Sequence, residues 1–102
     1  MRKIVIAYVP VLHEGYRKFF LSHKDAETLY IFGDDVIEKF DHLAKEIRAL
    51  QPELLKSAIE SWRIFKKVEI LDFKKIESLK TEDLEIFAPN EDVVQELLDE
   101  YF

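Results

Sequence analysis

The chain has 102 residues, no cysteine, and a hydrophobic share of 48% against 35% charged. That balance describes one globular domain able to bury a single core. The lack of cysteine excludes disulfides, thiolate metal sites and cysteine nucleophiles, and fits a reducing, cytoplasmic setting. The net charge of −6 is unevenly placed. Residues 1–80 hold all 15 Lys and Arg against 13 acids, whereas 81–102 hold eight acids and no base. Nucleic-acid binding needs a basic surface that displaces counterions, so it is not expected.

The opening basic residues and apolar run superficially copy a signal peptide, but no small-residue cleavage site follows and the run meets His13 and Glu14. No stretch approaches the ~20 apolar residues of a membrane span. "KIVIAYV", 3–9, reads as a strand covered on both faces, being apolar and β-branched without polar alternation. Residues 14–23 then follow a helical pattern with Tyr16, Phe19 and Phe20 on one side. "ETLYIFG", 27–33, is a second buried strand that ends at Gly33.

Asp34 or Asp35 caps the next helix, because a carboxylate there accepts a free amide of the first turn. Val36, Ile37, Phe40, Leu43, Ala44 and Ile47 form its buried stripe. Pro52 suits the first turn of another helix, with Leu54, Leu55, Ala58, Ile59 and Trp62 inward. "KVEIL", 67–71, is a third strand, a short helical stretch spans about 73–80, and "LEIFA", 84–88, is a fourth strand. The last helix opens at "PNEDVV", with Asn90 as its cap.

Four short apolar strands alternating with helices imply crossover connections and a parallel sheet. The fold expected is therefore α/β: a small three-layer Rossmann-like domain with a four-stranded, mainly parallel sheet, formed by residues 1–102 as a single unit. The chain closes on "LLDEYF", with Asp99 and Glu100 near the negative end of the helix dipole. That ending makes sense if the native protein continues beyond it or if a basic surface packs there.

Ligands of open α/β sheets sit beyond the carboxyl ends of the strands, near the point where strand order reverses. Three loops end there, giving the ligand-binding candidates His13, Glu14, Gly15 and Tyr16; Gly33, Asp34 and Asp35; and Asn90, Glu91 and Asp92. In the first loop the start of a helix favours an anion, and His13 is a donor for a phosphate oxygen. A loop histidine satisfying backbone carbonyls at a tight turn is the alternative. Asp34 and Asp35 suit Mg²⁺ or a ribose, against helix capping; Glu91 and Asp92 suit a metal, against simple first-turn placement. His23 complements the dipole of the first helix, His42 faces solvent, and Trp62 belongs to the core or an interface. Walker-type, Gly-x-Gly-x-x-Gly and Gly-x-Ser-x-Gly motifs are all missing.

"VPVLHEGYRKFF" resembles the His-x-Gly-His motif of the cytidylyltransferase-like nucleotidylyltransferases, His13 matching the first histidine and Gly15 the glycine. The second histidine is Tyr16, the acid three places before the first is Pro10, and the late phosphate-binding turn reads "PNEDVV". "IVIAYVPVLHEGY" and "PNEDV" also resemble the small amino-terminal domain that precedes a deoxycytidylate-deaminase-like zinc domain in some bacterial proteins. The deaminase reaction needs paired cysteines, which this chain lacks. Together the resemblances imply a non-catalytic accessory domain that binds a nucleotide or phosphorylated small molecule, partnered by a zinc deaminase-like domain or another protein, with no cofactor. Two alternatives stand: a divergent active enzyme using His13 and Mg²⁺, and an assembly domain using the acidic carboxyl-terminal helix.

Overall fold

The computed structural model describes residues 2–40, 51–80 and 84–102. The elements run β1 (Arg2–Ala7), α1 (Glu14–Ser22), β2 (Thr28–Phe32), α2 (Asp34–Phe40), α3 (Pro52–Ser61), β3 (Lys67–Leu71), α4 (Phe73–Leu79), β4 (Leu84–Phe87) and α5 (Glu91–Tyr101). All strand pairs are parallel, in the order β3-β2-β1-β4. The expected α/β, three-layer architecture is thus present, with a sheet that is wholly parallel.

The apolar run that begins the chain explains the layers. Residues alternate across a strand with period two, so Ile4, Ile6 and Tyr8 enter one core and Val5, Ala7 and Val9 the other. The first core is closed by Val36, Ile37 and Phe40 of α2, Ile76 and Leu79 of α4, and Val93, Val94 and Leu97 of α5. The second is closed by Tyr16 and Phe20 of α1 and Leu55 and Ile59 of α3. α1 and α3 therefore cover one face while the chain steps from β1 to β2 to β3. α4 covers the opposite face on the way back to β4. Reversing direction and face together gives the crossovers one common hand, as parallel units require.

Several boundaries and faces differ from expectation. β1 ends its ladder at Ala7, although Tyr8, Val9 and Pro10 continue buried beyond it. On α3 the buried stripe is Pro52, Leu55 and Ile59, and Leu54 turns out to be exposed. A stripe at i, i+3 and i+7 is one side chain wide, so its neighbour Leu54 falls outside it. Trp62, half-buried at the end of α3, packs on Phe20 with ring centroids 6.2 Å apart. Leu43, Ala44, Ile47 and His42 lie outside the described residues.

After α3 the backbone of Arg63 adopts φ 55°, the left-handed conformation that ends many helices and that glycine adopts without a Cβ clash. Arg63→Gly should therefore raise the unfolding free energy by about 1 kcal/mol, or roughly 4–8 °C in Tm, in thermal or urea denaturation. A lower Tm in that variant would mean that the arginine side chain holds the turn.

Candidate functional site at the strand-order reversal

The sheet order reverses at β1. β2 and β3 lie on one side of it and β4 on the other, so the segments leaving the carboxyl ends of β1 and β4 run side by side. A pocket of about 240 Å³ opens there, lined by His13, Gly15, Tyr16, Pro89 and Asn90. This is the position at which doubly wound sheets hold ligands.

His13 is the N-cap of α1 and is exposed. Its Nδ1 accepts a hydrogen bond from the Gly15 amide at 3.0 Å, so the neutral ring carries its proton on Nε2. Gly15 makes this turn feasible for a steric reason. A Cβ at position 15 would sit 2.7 Å from His13 Cε1 and 3.0 Å from Nδ1. The close approach that the glycine permits is that of the histidine's own ring. The ring also lies against Tyr16, with centroids 4.4 Å apart. Tyr16 itself is buried, with 5% of its surface exposed, and packs toward Phe20.

Asn90 joins the two segments. Its Oδ1 accepts from the Tyr8 amide at 2.9 Å, and its Nδ2 donates to the Tyr16 hydroxyl at 2.9 Å. The Tyr8 amide is an obligate donor, which fixes the orientation of the Asn90 carboxamide and leaves one hydrogen on Nδ2. The expected capping role is corrected here. Asn90 occupies the N-cap position of α5 and its carbonyl accepts from Val94, yet its side chain makes no cap hydrogen bond. The side chain is diverted to β1 because the ladder ends at Ala7 and the next amide needs an acceptor.

The remaining predicted residues separate from this pocket. Glu14 is exposed and pairs with Arg17 at 3.2 Å. Gly33 donates to the Leu71 carbonyl at 2.8 Å, and a Cβ there would lie 2.9 Å from Ile70 Cγ2 and 3.2 Å from that carbonyl. Its smallness lets β3 approach the end of β2. Asp35 accepts from the Val36 amide at 2.8 Å, in the first turn of α2, and from the Phe73 amide at 3.1 Å. It therefore ties the start of α2 to the start of α4. Asp34, beside it, is exposed. Glu91 and Asp92 point into a different cleft, shared with Ile86, Ala88, Gln95 and Leu98.

Pro89 carries no polar side chain that marks it in the sequence, although its place directly before Asn90 puts it at the same strand end. Among the described residues no three His, Asp or Glu side chains gather as a metal set. None of the described helices is long and apolar enough to cross a membrane. Comparisons with family models, curated proteins and solved structures gave no match.

Asn90→Ala strips the Tyr8 amide of its acceptor and should cost about 2 kcal/mol in urea denaturation. Asn90→Asp keeps that acceptor and should cost less. Equal unfolding midpoints for Asn90→Ala and the wild type would show that the bridge adds nothing to stability.

Proposed function

We propose that the chain is a non-catalytic ligand-binding domain that takes a phosphate group, from a nucleotide or a phosphorylated small molecule, in the pocket between the β1–α1 and β4–α5 connections. One observation carries this reading. The pocket is lined by His13 and Asn90, whose own hydrogen bonds leave an Nε2 proton and one amide proton still to donate, at the amino-terminal end of α1, and none of its lining residues is a carboxylate. A phosphate offers several acceptor oxygens, and donors fixed by other hydrogen bonds meet it with little loss of freedom. The two acids expected to repel a phosphate here, Glu91 and Asp92, line the other cleft. The 240 Å³ volume lies below the usual range for drug-sized ligands.

The likeness of "VPVLHEGY" to the nucleotidylyltransferase motif supports the same assignment. In a divergent enzyme, His13 would stabilise the transferred phosphate, and Mg²⁺ would be held largely through substrate phosphates and water. The accessory role takes precedence because Tyr16 stands where that family has its second histidine. Tyr16 is a neutral group and is already hydrogen-bonded to Asn90.

The deciding experiment is a thermal-shift panel of nucleoside mono- and triphosphates and sugar phosphates, with and without Mg²⁺. A ligand at a hundred times its Kd adds about 2.7 kcal/mol, or roughly 10 °C or more in a domain of this size. His13→Asn keeps a good helix cap but loses the imidazole donor, so it should retain apo stability while weakening binding about tenfold or more. Glu14→Gln should leave binding unchanged. No shift with any phosphate compound, or a shift unaltered in His13→Asn, would overturn the assignment. Pyrophosphate release from a triphosphate would instead favour the enzyme.

A further inference from the structure

β4 is the last strand of the sheet, and among the described residues no strand pairs with its outer edge. Its four residues are all half-buried, whereas every residue of β2 is buried. Along this edge lies a cleft of about 440 Å³. Ile86, Ala88 and Leu98 give it apolar lining, while Glu91, Asp92 and Gln95 supply the polar side.

The segment that forms the cleft is one-sided in charge. Residues 84–102 contain six acids and no Lys, Arg or His. Lys3, opposite Glu85 in the register of β1 and β4, is hydrogen-bonded to Asp25 at 2.8 Å. That bond, helped by the charge of Asp25, raises the pKa of Lys3, and Glu85 adds a smaller pull. Lys39 approaches Glu100 at 3.8 Å, at the far end of α5. Asp99 accepts from Gln95 at 2.8 Å, with no basic residue in the last turn of α5. Glu91 and Asp92 suit the positive end of the α5 dipole, but Asp99 and Glu100 oppose its negative end.

We propose that this edge accepts an extended basic segment of a partner protein, which adds to the sheet beside β4 and lays Lys or Arg side chains into the cleft. The inference is independent of the phosphate pocket. Main-chain hydrogen bonds to an open edge supply affinity, and alternate side chains supply selectivity. Lys and Arg fit the cleft because their aliphatic stems cover apolar surface while their heads reach carboxylates at the rim. A second copy of the chain fits poorly. The other edge strand, β3, sets a single Lys67 against Glu69, which already pairs with Lys75, so it offers no basic row for the cleft, and the protein as a whole bears a charge of −6.

The test uses a labelled peptide of alternating Lys and Val and a version N-methylated at alternate backbone nitrogens, which keeps the charge but blocks pairing on one side. Anisotropy at about 0.05 M salt should show the parent peptide binding at least tenfold more tightly than the methylated one. Its binding should slow amide exchange in β4. Gln95→Lys, at an exposed position in the middle of α5, should weaken binding about tenfold while leaving Tm near that of the wild type. Glu91→Lys should weaken binding similarly and also lower Tm by a few degrees, because a cation opposes the positive end of the helix dipole. Equal affinity for the two peptides would reduce the effect to general charge attraction and overturn the proposal. Protection elsewhere than β4, or self-association of the protein without peptide, would also overturn it.

Discussion

β1 lies inside an all-parallel sheet, hydrogen-bonded on both edges and covered by helices on both faces. Beyond its first two residues a strand so placed has no side on which a polar side chain meets water, and Ile4 through Val9 are accordingly all apolar or aromatic and buried. Each large aliphatic side chain buried there contributes about 1.5–3 kcal/mol. The same placement makes β1 the point from which the chain departs in two directions, first toward β2 and β3 and later to β4. The pocket is a geometric consequence of that constraint. Two connections must leave neighbouring strand ends, and they leave a gap between them.

The gap is held open at a defined width by side chains used in place of backbone. When the β1 ladder ends, the Tyr8 amide still needs an acceptor, and Asn90 supplies one from across the gap. His13 does similar service at the start of α1, where helix amides lack intrahelical partners. Both groups remain bifunctional after this structural work: the imidazole keeps its Nε2 proton and the carboxamide keeps one amide proton. Their donor directions are thereby fixed by the fold before any ligand arrives, which is the arrangement that lowers the entropic cost of binding.

The strands and helices were legible because their apolar periodicities are strong and their breaks fall at His-Glu-Gly, Gly-Asp-Asp and Pro-Asn. The gathering of His13, Gly15, Tyr16 and Asn90 was also accessible, since parallel topology brings strand ends to one edge. What local pattern does not carry is the direction of a side chain that has two uses. Asn90 reads as a cap by position, and a tertiary amide outcompetes that role. Asp35 reads as a local helix-start residue, and it also reaches Phe73, 38 residues away. Gly15 and Gly33 read as loop glycines open to a ligand, whereas each is crowded by a neighbour of this chain: the ring of His13 in one case and β3 in the other. Leu54 reads as core because it is apolar, but a shift of about 60° in the centre of the buried stripe, at roughly 100° per residue, is enough to leave it in solvent.

The opposing character of the two sides of the 88–92 segment also bears on which phosphate compound the pocket suits. Glu91 and Asp92 do not line it, but their field extends around the segment. A carboxylate about 10 Å from a phosphate costs about 0.4 kcal/mol per charge pair in water-like surroundings, and physiological salt reduces this further. For a monoester with about two charges the two acids oppose binding by about 1.6 kcal/mol before screening and about 0.5 kcal/mol at physiological salt, less than one charged hydrogen bond contributes. For a triphosphate with about four charges the penalty doubles, while the pocket offers no additional donors for the extra oxygens. Charge and the number of donors therefore select in the same direction. On the proposed reading, the site is matched to a single phosphate on a small carrier, with a triphosphate admitted only when Mg²⁺ offsets part of its charge.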